Sequence, residues 1–241
     1  MQRAIIIGAT SGIGKEVAIQ LLCAGWQLGI AGRREMELEE LQQLAPGRVA
    51  IQVLDVTHPE APQALQNLIA QTGGMDLFFH SSGIGHQNPD LQADIELRTI
   101  ETNALGFTRM VTAAFQYFKE HGGGHLAVIS SIAGTKGLGA APAYSATKRF
   151  QNTYIDALAQ LAHIEKLPIC FTDIRPGFVA TALLNDGRKY PLMMQPERVA
   201  ARIFCALKAR KRVVIIDKRY AVLVFFWRLI PRWLWERLRI V

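Results

Sequence analysis

The chain has 241 residues, half of them hydrophobic, which is enough for one domain with a full-sized core. Its net charge of +7 is unevenly distributed: residues 208–241 carry ten Lys/Arg against two acids (+8), and the other 207 residues carry 17 against 18 (−1). Because a nucleic-acid binder usually carries its charge across a folded face, this distribution argues against a nucleic-acid partner.

The N-terminus and the cysteines predict a cytoplasmic protein. The first apolar run is short and leads into a glycine loop without a small-residue cleavage site, unlike a signal peptide, and no uncharged stretch is long enough to span a bilayer. Cys23, Cys170 and Cys205 are far apart in apolar runs, which predicts buried reduced thiols rather than disulfides or a zinc site. The histidines are scattered, and we predict no metal.

Apolar runs of strand length alternate with segments of helical periodicity. Strands are predicted at residues 4–8, 26–32, 49–56, 75–83, 125–131, 167–177 and 213–217. Helices are predicted at residues 14–23, 35–44, 61–71, 97–121, 144–163 and 196–209. The alternation predicts an α/β fold with a doubly wound parallel sheet of about seven strands in one domain, residues 1–220, followed by a C-terminal tail, residues 221–241.

A glycine-rich loop with the spacing G-x-x-x-G-x-G joins the first strand to the first helix. Glycines let backbone N–H groups approach a pyrophosphate, and a helix N-terminus favours the negative charge. The sequence therefore predicts a dinucleotide site that contains Gly8, Thr10, Ser11, Gly12, Ile13 and Gly14. A tight glycine turn without a ligand is the competing interpretation.

The end of the second strand indicates which dinucleotide binds. A carboxylate at this point would bind the 2′-hydroxyl of NAD, but the sequence has Arg33 and Arg34 instead. A guanidinium group presents a fork of donors that suits a 2′-phosphate. We therefore predict NADP as the cofactor, with NAD as the alternative and Lys15 as an additional contact. A solvated basic pair at the start of a surface helix would explain the same residues.

Four polar residues form the candidate catalytic group. Tyr144 and Lys148 are four residues apart on one helix and share a face, so a protonated lysine would lower the pKa of the phenol. Ser131 follows the fifth strand, where the carboxyl ends of parallel strands face the ligand crevice, and Asn103 lies in the preceding helix. Tyr-x-x-x-Lys alone is a weak signal, but its combination with the serine and the glycine loop is specific.

This combination resembles the short-chain dehydrogenase/reductase family, and the match covers about residues 3–217. The resemblance implies a Rossmann-type fold, hydride transfer between a nicotinamide and a carbonyl/alcohol substrate, no metal, and a homo-oligomer (dimer or tetramer). It implies that Tyr144 exchanges a proton with the substrate oxygen and that Ser131 hydrogen-bonds this oxygen. It further implies that Lys148 binds the nicotinamide ribose and lowers the pKa of Tyr144, while Asn103 holds a water in a proton relay.

Further cofactor contacts follow from the same resemblance. They are Asp55, which resembles an adenine-contacting aspartate, Val56 beside it, Gly83 after the fourth strand, and Pro176, Gly177, Val179 and Thr181 of a P-G-x-x-x-T segment that meets the carboxamide. The sequence departs from the family twice: Ile7 replaces a threonine, and His80-Ser81-Ser82-Gly83 replaces N-N-A-G. His80 is expected to substitute for a strand-steadying asparagine; a catalytic base that titrates near neutral pH is the alternative.

Two segments after Thr181 suggest the environment in which the protein works. Leu183, Leu184 and residues 192–194 would line a lid over a lipophilic substrate, although ordinary helix packing explains them equally well. In the tail, an apolar series (Trp227, Ile230, Leu234, Leu238, Val241) alternates with a charged series (Arg228, Arg232, Glu236, Arg239), as in a helix lying on a membrane interface. Packing on its own domain or on a second subunit is the alternative.

These features predict an NADP-dependent oxidoreductase for a small carbonyl or alcohol compound, with Tyr144 as the general acid/base. The predicted location is cytoplasmic, with peripheral membrane contact through residues 221–241. A non-catalytic, nucleotide-sensing protein on the same fold, docked on a membrane through its tail, is the second hypothesis. The joint presence of Asn103, Ser131, Tyr144 and Lys148 favours the enzyme, since a binding module does not need all four.

Overall fold

Seven parallel strands form one sheet in the computed structural model, which describes residues 1–184, 187 and 190–238. The strands are β1 (Arg3–Ile7), β2 (Gln27–Gly32), β3 (Val49–Val53), β4 (Leu77–His80), β5 (Gly124–Ile129), β6 (Ile169–Pro176) and β7 (Val213–Ile216). Their order across the sheet is β3-β2-β1-β4-β5-β6-β7. The predicted doubly wound parallel sheet is therefore confirmed, although six of the seven strands end one to three residues earlier than predicted.

Helices cover both faces of the sheet. They are α1 (Gly12–Cys23), α2 (Glu35–Gln43), α3 (Ala61–Thr72), α4 (Ala93–Ile100), α5 (Phe107–Glu120), α6 (Pro142–Ile164), α7 (Pro196–Lys208), α8 (Lys218–Leu229) and α9 (Arg232–Trp235). A π-helical turn, Glu101–Gly106, joins α4 to α5, so that the single helix predicted at residues 97–121 is interrupted. Periodicity did not reveal this turn because it adds one residue to a helix without ending it.

The core consists of two apolar layers, one on each face of the sheet. The first contains residues of α1, α2, α7 and α8, and the second contains residues of α3, α5 and α6. The central strand β1 has Ile5, Ile6 and Ile7 fully buried between them. A strand buried on both faces needs a continuous apolar sequence, which explains why β1 has no polar alternation.

The strand order places a crevice above the carboxyl ends of β1 and β4. The chain moves outward from β1 to β2 and β3, then returns to the other side of β1 with β4. Loops from the two halves separate at this reversal, and ligands of doubly wound sheets bind there. The glycine loop follows β1, and residues 81–85 follow β4 at the same edge.

The tail differs from the predicted amphipathic helix. Helix α8 begins at Lys218, so the proposed boundary between residues 220 and 221 lies inside a helix, and Tyr220 and Val224 are buried in the core. Trp227, assigned to the membrane side by periodicity, packs against the core instead. Trp227 follows Val224 by three residues and Tyr220 by seven, so it lies on the same side of α8 as these two core residues. The helix ends at Leu229, and the rest of the predicted series therefore follows a different phase; Arg239 and Val241 lie outside the described residues.

Two further features concern the cysteines and the lengths of the helices. The cysteines are unpaired within the described chain, but Cys23 and Cys205 are exposed rather than buried, because each lies on the outer side of its helix. No described helix combines the length and the apolar character that a bilayer crossing requires.

Candidate active site

The glycine loop makes a close turn against the chain that leaves β4. Gly8 has φ of +90°, which favours glycine, and a Cβ atom on Gly8 would lie 2.6 Å from the backbone nitrogen of Ser82. The backbone N–H groups of Gly8 and Ala9 both bond the carbonyl of Ala31 in β2. The loop is therefore bonded to β2 through its own backbone and packs closely against the chain that follows β4.

The start of α1 leaves donors available at the crevice. Ser11 is the N-cap residue, and its side chain makes no capping hydrogen bond within the described chain. The first N–H groups of a helix have no intrahelical acceptor, and the helix dipole favours an anion beside them. The methyl group of Thr181 lies 3.0 Å from where a Cβ of Gly12 would be, so the segment after β6 covers this helix end. The crevice therefore fits the pyrophosphate of a dinucleotide.

Basic residues surround the outer end of this crevice. Arg34 Nη2 donates to Thr10 Oγ1 at 2.9 Å, and Arg33 Nη1 lies 3.9 Å from Asp55 Oδ2. Burial raises the pKa of the Asp55 carboxyl, but hydrogen bonds from Thr57 and the charge of Arg33 outweigh it, so that the pKa lies below its ordinary value. Both guanidinium groups keep surface exposed to a ligand, while Lys15 lies 3.6 Å from Glu40.

Tyr144 and Ser131 meet at the carboxyl edge of the sheet. Ser131 lies two residues beyond β5 and caps the short 3₁₀ turn Ile132–Thr135, where its hydroxyl accepts a bond from the N–H of Ala133 at 3.0 Å. Tyr144 is in the first turn of α6. Burial raises the pKa of Tyr144 above its ordinary value, and the nearby Ser131 hydroxyl opposes part of this rise.

Lys148 lies one helical turn below Tyr144 and is buried. Its Nζ atom is 5.7 Å from the centroid of the Tyr144 ring and donates to the carbonyl of Ile129 at 3.1 Å. Burial lowers the pKa of Lys148 to about 8, and the charge of Asp173 opposes this effect. In this structure burial decides the direction of both pKa values, so the lowered Tyr144 pKa that the resemblance implied is not present here.

Asn103 holds the loop after β4 with both ends of its amide. Its Oδ1 accepts from the N–H of Ile84 at 2.8 Å, and its Nδ2 donates to the carbonyl of the same residue at 2.7 Å. A Cβ atom on the neighbouring Gly85 would lie 2.8 Å from the Tyr144 ring, and one on Gly83 would lie 3.6 Å from Lys148 Nζ. The Asn103 side chain therefore positions the backbone that packs against the catalytic pair.

The backbone carbonyl of Asn103 has a side-chain partner that the sequence did not suggest. Gln151 Nε2 donates to this carbonyl at 2.8 Å, and Gln151 Oε1 accepts from Lys148 Nζ at 3.0 Å. Gln151 is fully buried. The sequence offered one indication of this role, since Gln151 is a polar residue three positions after Lys148 on an otherwise buried helix face.

A second unpredicted residue, Tyr220, supports the segment that follows β6. The Tyr220 hydroxyl accepts from the N–H of Phe178 at 3.1 Å, and its ring fills the space beside Gly177 where a Cβ would lie. Val179 is buried and pairs with Met194 in an isolated bridge. Pro176 ends β6. The predicted P-G-x-x-x-T segment thus crosses the crevice with Tyr220 behind it.

His80 does not behave as a titrating base. It is fully buried at the end of β4, with its ring 5.2 Å from that of Phe107, and neither ring nitrogen has a hydrogen-bond partner among the described residues. Burial and the charge of Lys148 lower the pKa of His80 to about 3, against a small opposing effect of the Ser82 backbone. The alternative of a base that titrates near neutral pH is therefore not supported, because the site cannot solvate an imidazolium. The expected replacement of a strand-steadying asparagine is not supported either, because neither ring nitrogen bonds a neighbouring strand among the described residues.

The structure thus brings most of the predicted residues to one edge of the sheet. The glycine loop, Gly83 and Thr181 surround the crevice; Ser131, Tyr144, Lys148 and Asn103 lie beside it. Val56 packs against Gly106 on the second core layer, and a Cβ on Gly106 would be 2.8 Å from its Cγ2.

Sequence comparison identifies the family. The sequence profile of the short chain dehydrogenase family matches residues 2–190. Dehydrogenase/reductase SDR family member 7B of Bos taurus is 32% identical over 94% of this chain and 77% of its own length. An uncharacterized oxidoreductase of Staphylococcus aureus is 32% identical over 87% of this chain and 92% of its own length. The chain belongs to the short-chain dehydrogenase/reductase family of oxidoreductases.

Solved structures agree on the fold. A short-chain dehydrogenase from Streptomyces avermitilis superposes with a TM-score of 0.82 at 23% identity, covering 95% of this chain and 93% of its own. An alcohol dehydrogenase from Thermococcus sibiricus, complexed with 5-hydroxy-NADP, superposes with a TM-score of 0.79 at 24% identity, covering 90% of this chain and 96% of its own. At these identities the similarity establishes the Rossmann-type fold.

Proposed function

We propose that the protein is an NADP-dependent oxidoreductase that moves hydride between a nicotinamide and a carbonyl or alcohol carbon, with Tyr144 as acid/base. The observation that carries the proposal is the convergence of Ser131 and Lys148 on Tyr144, with Lys148 Nζ 5.7 Å from the ring centroid, beside a crevice that fits a dinucleotide. The family membership supports the reaction class.

Each side chain has a separate task in this reaction. The bound cofactor supplies the hydride. In the reducing direction the Tyr144 hydroxyl gives its proton to the carbonyl oxygen, which also accepts a hydrogen bond from Ser131. The Lys148 ammonium stabilises the phenolate that remains. Because burial raises the pKa of Tyr144, the phenol stays protonated near neutral pH, which is the form that reduction requires.

The proposed preference for NADP rests on the outer end of the crevice. Arg33 and Arg34 follow β2, and the Arg34 guanidinium already bonds Thr10 of the glycine loop. A 2′-phosphate between these groups would receive charge-assisted hydrogen bonds. The Thermococcus sibiricus relative is bound to 5-hydroxy-NADP, which agrees with this preference.

A lipophilic substrate is proposed from the apolar side chains near Tyr144. Leu183 Cδ2 lies 3.4 Å from the Cβ position of Gly85, the glycine that packs on the Tyr144 ring. Leu183, Leu192 and Met193 are each about two-fifths exposed. These side chains would lose their contact with water when an apolar substrate binds.

The experiment is NADPH oxidation with a homologous series of aliphatic aldehydes and ketones. We expect turnover, with kcat/KM rising about fourfold for each added methylene until the site is filled, from about 0.8 kcal/mol per buried CH₂. Short carboxylated analogues are the control and should be poor substrates. NADPH binding by fluorescence without turnover on the whole panel would instead favour the nucleotide-sensing alternative.

Peripheral membrane contact is proposed for the outer side of the C-terminal helices. Val222, Phe225, Phe226, Leu229 and Trp233, here called the tail face, are 57–64% exposed. The inner side of α8 packs on the domain through Tyr220 and Val224, so the tail face is the surface that remains. Large apolar side chains beside arginines are typical of helices that lie on lipid.

The charge of this region favours an anionic membrane over a second copy of the chain. Both acids of residues 208–241 already have arginine partners: Asp217 bonds Arg219, and Glu236 bonds Arg232. A two-fold contact through the tail face would bring two regions of +8 together, and like charges oppose that association. Anionic lipid headgroups would neutralise them.

Vesicle flotation tests this contact with the full-length protein. We expect flotation with phosphatidylcholine/phosphatidylglycerol vesicles and little with phosphatidylcholine alone. A Phe225→Ser/Phe226→Ser variant should bind at least tenfold more weakly, since two phenylalanines no longer enter the lipid. Leu44→Ser, at a residue equally exposed on α2's end, is the control. Equal flotation of the tail variant and the wild type would refute the contact.

A homo-oligomer is also proposed, through helices α4 and α6. These helices pack together and expose Leu97, Ile100, Phe150 and Ile164, which are 39–68% accessible. Light scattering should give a dimer or tetramer, and Phe150→Glu should shift it toward monomer. A monomeric wild type would contradict this arrangement.

A further inference from the structure

Gln151 connects the catalytic lysine to the helix that carries Asn103. The side chain is fully buried on α6, three residues after Lys148. Burying an amide is unfavourable unless both its donor and its acceptor are satisfied. Both are satisfied here: Gln151 Oε1 accepts from Lys148 Nζ at 3.0 Å, and Nε2 donates to the Asn103 carbonyl at 2.8 Å. These two bonds fix which end of the amide faces the lysine.

The acceptor of this amide lies in the π-helical turn. Residues Glu101–Gly106 form that turn between α4 and α5, and the Asn103 side chain in it holds Ile84. Asn103 therefore accepts a hydrogen bond from Gln151 at its backbone carbonyl, and its side chain bonds the loop beside Tyr144. π-helical turns are rare and frequently occur at functional sites.

We propose that Gln151 is a positioning residue for the reaction assigned above: its amide bridges the Lys148 ammonium to the Asn103 carbonyl, and it holds the ammonium charged and at a fixed height below Tyr144. The inference rests on the proposed function for its effect on turnover. Its effect on Lys148 itself does not depend on that function.

The bridge has a chemical consequence for proton movement. The resemblance implied a water on Asn103 that relays protons, whereas the Asn103 carbonyl here receives a side-chain amide. An amide N–H does not release and regain protons as a water does, so the bridge acts as a fixed dipole. The carbonyl-type oxygens of Gln151 and Ile129 then solvate the ammonium in place of water.

Among the residues that the structure describes, the charged and titratable groups that face Lys148 come from three elements. They are Tyr144 on α6, Asp173 on β6 and His80 on β4. Asp173 favours the ammonium, while its own ion pair with Arg175 at 2.6 Å limits that effect. Burial lowers the pKa of Lys148 to about 8, so the bond that Lys148 donates to Gln151 stabilises the charge of a lysine that titrates close to working pH.

Two substitutions of Gln151 are expected to move the lysine in opposite directions. Gln151→Met removes the acceptor oxygen and keeps the volume, so the pKa of Lys148 should fall by about one pH unit. Gln151→Glu places a carboxylate beside the ammonium, so the pKa of Lys148 should rise by at least as much. If turnover needs the ammonium form of Lys148, kcat should begin to fall at a lower pH in Gln151→Met and at a higher pH in Gln151→Glu than in the wild type.

The primary readout is the ¹⁵N chemical shift of the Lys148 side chain against pH in cofactor-free protein, assigned with Lys148→Met. The second readout is the alkaline limb of kcat for NADPH oxidation. Gln42→Met is the matched control, because Gln42 also donates to a backbone carbonyl, that of Val49 at 2.9 Å, but on α2. If Gln151→Met does not fold, Gln151→Glu alone tests the direction in which the pKa of Lys148 shifts.

Opposite shifts of the Lys148 titration in the two variants, absent in the control, support the bridge even if no substrate is turned over. Such a result with no activity would count against the proposed function alone. Titration curves of both variants that coincide with the wild type would overturn the role of Gln151. An activity loss without any shift of the alkaline limb would also overturn it, since that is the result expected from a merely structural residue.

Discussion

The Tyr220 hydroxyl accepts a hydrogen bond from the N–H of Phe178 at 3.1 Å and lies 2.9 Å from the carbonyl oxygen of Pro191, to which it donates. Tyr220 is itself buried in the core at the start of α8. The C-terminal helix is thereby tied to two points of the chain that follows β6. Cofactor binding should therefore depend on a residue that is remote from the crevice in sequence.

Replacing Tyr220 by phenylalanine tests this dependence. The variant leaves the Phe178 N–H and the Pro191 carbonyl without their partner, so we expect a loss of about 1–3 kcal/mol in the free energy of unfolding and a several-fold higher Kd for NADPH. Urea denaturation measures the free energy of unfolding, and fluorescence titration measures the Kd for NADPH. Tyr154→Phe, which removes the 2.8 Å bond between Tyr154 and Thr112, is the control and should lower stability alone. An unchanged Kd in Tyr220→Phe would contradict the coupling.

Gly85→Ala probes the packing of the loop on the catalytic ring. The added methyl group would lie 2.8 Å from two carbons of Tyr144, so the ring or the loop must move. We expect kcat/KM to fall 10- to 100-fold, because small displacements of a catalytic group have large effects on rate. Gly47→Ala adds a methyl group in open space and should leave kcat/KM unchanged. Equal activity of the two variants would show that the Gly85 contact is unimportant.

The choice of cofactor should depend on Arg34. Its Nη2 atom bonds Thr10 Oγ1 at 2.9 Å, and its Nη1 atom lies 3.2 Å from Glu37. Arg34→Ser should weaken NADPH binding about 10- to 100-fold, from the loss of a charge-assisted bond of about 1.5–3 kcal/mol, and leave NADH binding nearly unchanged. Arg98→Ser, at an exposed arginine on α4, is the control. Equal loss for both dinucleotides would argue against a 2′-phosphate contact.

The sequence predicted those parts of the molecule that follow from local pattern. Most of the strands are predominantly apolar runs, and the glycine loop, Ser131, Tyr144 and Lys148 follow strands or helix starts, so the parallel sheet brings them to one edge. The contacts made across the fold were not accessible in this way. Gln151, for example, is one polar residue on a helix, and its importance appears only when the Asn103 carbonyl is seen to face it.

The tail shows why periodicity alone misjudged a surface. A single helical phase through residues 221–241 put Trp227 on the outer side, but α8 ends at Leu229 and α9 starts at Arg232 in a new orientation. Trp235 then reaches back, and its Nε1 atom donates to the carbonyl of Gly137 at 2.7 Å, while Lys136 Nζ donates to that of Ile230. Tertiary contacts of this kind select the buried side of a helix whose sequence is apolar on more than one side.

His80 should make the protein sensitive to acid. Its folded-state pKa, about 3, is below the ordinary value of 6.5. The stability that neutral His80 provides is therefore fully present above pH 6.5 and is lost as pH falls toward 3, by about 1.4 kcal/mol per pH unit. His80→Asn should flatten this part of the stability curve in urea denaturation between pH 7 and pH 4.5.

The comparison for His80 is His163→Asn, at an exposed histidine of α6. This variant should follow the wild-type curve. If His80→Asn and wild type had parallel pH profiles, the pKa of His80 would be the same in the folded and the unfolded chain, contrary to its burial between Phe78 and Phe107.

The most direct test of the catalytic assignment is a single-turnover comparison of wild type and Tyr144→Phe with NADPH and a substrate from the aldehyde and ketone series. The substitution removes one hydroxyl and keeps the ring that packs on Gly85. We predict a 10²- to 10⁴-fold slower hydride transfer, the usual contribution of a general acid, with the Kd for NADPH unchanged within about threefold. Hydride transfer at the wild-type rate in Tyr144→Phe would contradict the account.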